Sequence, residues 1–557
     1  MASDKYEKRI KTVLKVIIFW LLAAAMILAA GRVTEKKDSR QKYNGFTANA
    51  DKIDVLFLGS SHMLYAVNPV QLYQEYGITA YNMGRHGCMT TESYWMLVNA
   101  LDYCQPKCVV VDLWALDRNY HYDDVMDGKQ SEADLRNNIS LLHEMTDFLP
   151  GFSLNKVRMI RDLIKDPQTR QEFYWNFMLY HSRWDHLIRD DYLPVEEQEG
   201  TNRYLGAGSW HEMSLNESAY HYDVYDEKLP EQTVCTEYLH RIIALCRSRN
   251  IGVILTFMPM AEYYEQDIQA VNTAADIAAA EGIPFINMLY AGESDEVLAA
   301  LPPGDEANAA GTDNDVAGSS HDSLEQSGPC RNLIVRPAHI VDLHTDLTDG
   351  SHLNSFGMRK VTAYIGKFLN ENYGAAKILE DHRGEPGYEA FERCLQRWQS
   401  DWISRLTWEE DLYMELGEIE MLGATAVVYI PGGSPALYDP QVVRLLKQIS
   451  GTDLPETAAE QGGPYLLLQD YSRDYGEGRK WFELAGPAVI EHFDSIFGDT
   501  MYIGQQNFGA LYQEGDLENN ILDMEEHYYD DVQILILGQG GEIMARLYYN
   551  VGWTNAE

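Results

Sequence analysis

Cysteine is scarce: seven in 557 residues (Cys88, Cys104, Cys108, Cys235, Cys246, Cys330 and Cys394), an odd number with no Cys-x-x-Cys pair and no Cys/His ligand spacing. Neither a zinc site nor a disulfide framework is read from them. Buried free thiols are expected instead, although Cys104 and Cys108 are spaced to meet around a helix end. Positive charge is the second shortage. Lys+Arg total 44 against 85 Asp+Glu, a net charge of −41 that repels phosphate backbones, so nucleic acid is not an expected partner. Gly538-Gln539-Gly540-Gly541 is followed by no Lys-Ser/Thr and no helical pattern, which excludes a phosphate loop. There is no internal repeat, and long apolar runs are lacking except for one.

That run is at the amino terminus, where every residue from Val16 to Ala30 is apolar. It approaches the ~20 residues a membrane-spanning helix needs. A transmembrane signal anchor is expected over residues 1–31. A cleaved signal peptide is the alternative, with the small residues around Ala29-Ala30-Gly31 as its cleavage site. Lysines and arginines flank the run on both sides, from Lys5 to Lys15 and from Arg32 to Lys42, so charge does not orient it. Export of a large acidic region behind such a span makes an extracytoplasmic location the expectation. An enzyme tethered inside the cell stays the alternative.

The body reads as more than one domain. After a linker over 32–50, strand and helix patterns alternate from 51 to 375 as in an α/β, doubly wound, mainly parallel sheet of flavodoxin-like type. Strands are expected at Asp54–Leu58, Ile78–Tyr81, Cys108–Leu113, Gly252–Phe257, Pro284–Met288 and Ala338–Leu343. Helices are expected at Val70–Tyr76, Thr91–Tyr103, Glu237–Ser248, Ile268–Ala280 and Ser355–Leu369. Two insertions interrupt this pattern. One is an aromatic-rich helical stretch over 135–200, in which Tyr180-His181-Ser182-Arg183-Trp184 reads as packing or as a cleft wall. The other is an acidic, Gly/Ala/Ser-rich stretch over 302–330 that lacks the residues to bury a core. A helical connector follows over 376–420. A small α/β module then covers 421–557, with strands at Ala424–Ile430 and Tyr465–Tyr471 and a hairpin at its end.

Two motifs carry chemistry. Gly59-Ser60-Ser61-His62 closes the first strand, where an open α/β sheet binds its ligands, and Ser61 there can present a hydroxyl and a backbone N–H to a substrate. Asp349-Gly350-Ser351-His352 precedes the last helix of the sheet domain. A serine hydroxyl attacks only when an imidazole takes its proton, and a carboxylate holds that imidazole in one tautomer. Asp349 and His352 are spaced for those two roles. Each motif alone is also an ordinary helix-capping turn, and His62 reads as structural.

Taken in order, Gly-x-Ser after the first strand, Asn82-Met83-Gly84 after the second and Asp-x-x-His before the last helix resemble the SGNH/GDSL hydrolase superfamily. The similarity is to its membrane-anchored envelope branch, which includes alginate O-acetylation and teichoic-acid D-alanylation proteins, and it covers about residues 50–375. The resemblance implies Ser61 as nucleophile, His352 and Asp349 as base and orienting acid, and the N–H groups of Ser61 and Gly84 as oxyanion donors. Arg85 and His86 read either as contacts to a sugar or anionic substrate or as a solvated loop, and Asn82 is a candidate substrate contact. The family's third-block Asn has no counterpart in Leu113–Asn119, leaving Asn119 either recruited from a shifted loop or an ordinary surface residue. The implied activity is an extracytoplasmic esterase or acyltransferase acting on acyl esters of envelope glycans, with no metal or organic cofactor. The other reading is a non-catalytic scaffold or polysaccharide-binding protein, with the carboxyl-terminal module available to a protein partner.

Overall fold

The computed structural model describes residues 2–126, 144–149, 153–193, 203–214, 226–293, 334–469 and 480–551, apart from short breaks at 36, 231, 375–377, 463, 486–491, 495–499, 504–510, 514–530 and 539–542. The acidic stretch 302–330 lies outside the described residues. Two compact units emerge. The first gathers Met1–Trp210, Ser218–Leu343 and Gly350–Leu395, and the second gathers His211–Glu217, His344–Asp349 and Gln396–Glu557.

The first unit is built on six parallel strands, β1 (Val55–Leu58), β2 (Ala80–Asn82), β3 (Cys108–Asp112), β4 (Gly252–Phe257), β5 (Phe285–Asn287) and β6 (Ile334–Val335), in the order β2-β1-β3-β4-β5-β6. Short runs such as Val-Leu-Phe-Leu and Cys-Val-Val-Val are buried throughout because a parallel sheet is covered on both faces. Helix α4 (Pro69–Tyr76) shows how locally its boundaries are set: Asn68 accepts from Val70 N, Pro69 supplies the first helical position and Gly77 ends it. The helices Val234–Ser248 and Ser355–Leu369 follow the same logic, capped by Thr233 and Asn354, while at the start of Glu265–Glu281 Tyr264 N donates to Asp267 Oδ2. Chain order reverses between β2-β1 and β3-β4, so the crevice at the carboxyl ends of β1 and β3 is the switch point where such sheets bind ligands.

Three readings change. Residues 32–50 are not an open linker: α2 (Asp38–Asn49) packs beside β2, with Phe46 edge-on to Tyr81 and the Tyr81 hydroxyl donating to Lys42 O at 2.7 Å. The polar sequence of α2 concealed this. Ala338–Leu343 runs as turns rather than a strand, because Pro337 precedes it and His339 takes a left-handed φ of 55°. The outer strand is β6 instead. The unit boundary falls inside the helix Glu389–Arg405, after Leu395.

Ahead of the sheet, α1 (Ala2–Thr34) contains a stretch, Arg9–Thr34, that is long and apolar enough to cross a membrane, a test that a signal sequence also passes. The second unit holds an antiparallel sheet of β7 (Thr425–Ile430), β8 (Tyr465–Gln469), β9 (Lys480–Ala485), β13 (Val532–Leu537) and β14 (Ile543–Tyr549), ordered β14-β13-β7-β8-β9. Leu416, Ile419, Val428, Leu446, Leu467 and Ile534 fill its core against the helices Leu412–Leu422 and Pro440–Ser450. A separate antiparallel ribbon joins β10 (His492–Asp494), β11 (Thr500–Ile503) and β12 (Leu511–Gln513).

Candidate active site

Leu58 pairs with Val111, so Gly59 and Asp112 leave their strands side by side. A Cβ on Gly59 would stand 2.6 Å from Asp112 Cβ, and its φ of 155° is one that side chains rarely adopt, so only glycine lets the two strand ends approach. Ser60 then caps α3 (Ser61–Ala66), its Oγ accepting from His62 N at 3.2 Å and donating to Asp112 Oδ2 at 2.9 Å. Ser61 is the first helical residue. Its N–H has no acceptor within the helix.

The imidazole arrives from the far end of the domain. Gly350 O accepts from Ala261 N at 3.0 Å and Glu262 N at 2.7 Å, and Asn354 caps the helix Ser355–Leu369 through Phe356 N and Gly357 N. Ser355 N donates to Trp210 O. Held on both sides, His352 sets Nε2 2.8 Å from Ser61 Oγ, joining residues 291 apart in sequence. Its Nδ1 is 3.1 Å from Ser351 Oγ. If Nδ1 carries the ring proton, Nε2 is free to accept the serine proton, which is the tautomer general-base chemistry requires. Asp349 is half-buried, three residues upstream on the segment that belongs to the second unit.

Aromatic rings enclose this contact. His62 stacks on His352 at 4.8 Å and 15°, while the Trp210 indole meets His352 edge-on at 5.1 Å and stacks on Tyr65 at 4.1 Å. Ser60 Oγ thus lies between Asp112 Oδ2 at 2.9 Å and His62 Nδ1 at 3.1 Å. Burial pushes Asp112 up to about 6, against the Ser60 hydroxyl and the backbone N–H groups of Ser60, Trp114 and Leu113, which pull it down.

The other expected residues are placed differently. Gly84 is not a free oxyanion donor: its N–H donates to Asn82 Oδ1 at 2.8 Å, and a Cβ on it would stand 2.6 Å from Leu64 N. Asn82 is not a substrate contact either. It is fully buried, and its Nδ2 donates to Met63 O and Val67 O at 2.8 Å each, clamping the end of α3 to β2. Arg85 is buried in an ion pair with Glu92 and lies 4.0 Å from Glu144. Asn119 accepts from Val234 N at 3.1 Å, at the start of the helix Val234–Ser248. His86 is exposed, and its Nε2 lies 3.2 Å from the Tyr65 hydroxyl.

Sequence reasoning missed Asp112, Tyr65 and Trp210. An acidic residue at the end of a buried strand was a signal for the first. Trp210 comes from a loop that carries no pattern, and α3 was unreadable as a six-residue helix. Among the described residues no group of three or more His, Cys, Asp or Glu is arranged to hold a metal ion. The six described cysteines are free thiols, five of them buried. No protein-family profile, curated protein or solved structure matches the chain.

Proposed function

We propose that this protein is a membrane-anchored, extracytoplasmic serine esterase or acyltransferase of SGNH type, acting on acyl esters of envelope glycans. The observation that carries the reading is the 2.8 Å contact between Ser61 Oγ and His352 Nε2 at the switch point of a parallel sheet. Ser61 Oγ attacks the acyl carbonyl carbon as its proton passes to His352 Nε2. The ester C–O bond then breaks, and His352 returns that proton to the departing alkoxide. Water or a sugar hydroxyl, giving its proton to the same nitrogen, then attacks the acyl carbon; the acyl–Oγ bond breaks and His352 returns that proton to Ser61 Oγ. Asp349, three residues before His352, is the carboxylate we assign to the imidazolium.

The oxyanion is met by the Ser61 N–H. Gly84 N–H already has an acceptor in Asn82. Loss of one oxyanion donor costs ~10²- to 10³-fold in rate, so turnover is expected to be slow. That same observation favours a second reading, a binding scaffold that retains the fold without the chemistry.

Fluorophosphonate labelling of the purified full chain separates the two, with mass spectrometry locating the adduct. An adduct on Ser61, absent in Ser61→Ala and lowered at least tenfold in His352→Ala, supports the enzyme. A folded wild type that stays unlabelled removes the enzyme reading and leaves the scaffold.

A further inference from the structure

The large apolar side chains of α1 from Val13 to Leu28 are exposed, whereas Gly31 and Thr34 are buried against protein. Gly31 packs on Phe177, whose Cβ would be 3.4 Å from a Cβ placed on the glycine. Thr34 O accepts from the Arg183 guanidinium. Gly31 is only three residues, ~4.5 Å, beyond Leu28. Whatever packs there stands at the edge of the hydrocarbon, inside the interfacial layer that adds ~5–7 Å on each side of a bilayer core.

The segment packed there exposes large apolar side chains. Trp184, Ile188 and Tyr192 are 72%, 63% and 66% exposed, and Trp175 and Met178 are each 49% exposed. Beneath the first three, buried Asp191 ties the two turns together, bonding Arg183 Nη2 at 3.1 Å and Ile188 N at 3.0 Å. The ion pair is turned in, and three large apolar side chains are turned out among the exposed His181, Asp185, His186 and Arg189. Trp and Tyr, flanked by the exposed cations Arg32 and Arg189, are the residue types that settle at a lipid headgroup boundary.

Resting on the reading of α1 as a membrane span, we infer that residues 175–192 form a lipid-contacting platform, with Trp184, Ile188 and Tyr192 seated in the phospholipid interface beside the exit of α1. The occupant is lipid because the patch continues a helix whose own exposed face requires hydrocarbon.

The test uses the full chain in nanodiscs of phosphatidylcholine and phosphatidylglycerol, with nitroxides attached singly at Trp184→Cys, Ile188→Cys, Tyr192→Cys, Trp20→Cys and the exposed control Tyr264→Cys. The labelled wild type serves as blank. Collision with oxygen is compared with collision with a water-soluble nickel chelate. Expected are a deep-membrane ratio at position 20, an interfacial ratio at 184, 188 and 192, and an aqueous ratio at 264. Position 20 in lipid with 184, 188 and 192 in water overturns the platform while the anchor stands, and makes the patch a site for a membrane-protein partner instead. Position 20 in water overturns both.

Discussion

Asn82 bears on the geometry of Ser61 without touching it. One amide holds the carbonyls of Met63 in α3 and Val67 just after it, and the N–H of Gly84. Asn82→Ala leaves those buried groups unpaired at about 1–3 kcal/mol each. A lowered urea midpoint is expected, together with slower Ser61 labelling as α3 loosens; unchanged labelling in a destabilised variant would confine Asn82 to stability. Asp112 gives a pH signature. Its carboxyl is raised by burial from 3.8 to about 6, so the fold is favoured with the proton on and loses that stability as pH rises through about 6. Asp112→Asn has no such proton. Wild type is expected to weaken relative to the variant between about pH 4 and about pH 7, and a stability difference that stays flat across that range would refute the assignment.

Among the elements, the helix Leu412–Leu422 places Glu415 and Glu418 in the core of the second unit, beside Glu409 and Arg405. Burial first, then the charge of Glu418, pushes Glu415 up to about 9; burial pushes Glu418 to about 7 against the pull of Arg405. Both groups fold best protonated, so the second unit is expected to lose stability as pH rises through about 7 and then about 9. Glu415→Gln stays neutral and should flatten the upper part of that loss. Hydrogen exchange of the β7 and β13 amides reads it, and an equally steep loss in the variant would contradict it. Elements with their own punctuation were legible from sequence: Asn68-Pro69 and Gly77 bracket α4, and Asn354 starts the helix at Ser355. α2 was not, because its contacts with Tyr81 of β2 are made by a single ring, Phe46, and by the Lys42 carbonyl rather than by an apolar stripe, while Tyr43 meets Tyr103.

For the molecule as a whole, the proposed location requires everything after α1 to lie outside the cytoplasm. A carboxyl-terminal phosphatase reporter that is active only after export should be active on the full chain. Activity only of a reporter that requires the cytoplasm would withdraw the envelope-glycan substrate and leave a tethered intracellular protein.

Strand runs, helix caps and the two motifs around Ser61 and His352 are local properties, set by burial period, backbone conformation and hydrogen-bonding side chains within a few residues; the sequence alone determined them. Which groups meet did not follow from it. The 2.8 Å approach of Ser61 to His352, the diversion of Gly84 N–H to Asn82, the pairing of Ser60 with Asp112 and the arrival of Trp210 over Tyr65 depend on strand order and on loops that return across the sheet. Only tertiary structure decided those, because an unpaired buried polar group takes whichever partner packing brings within 3 Å, however distant in the chain.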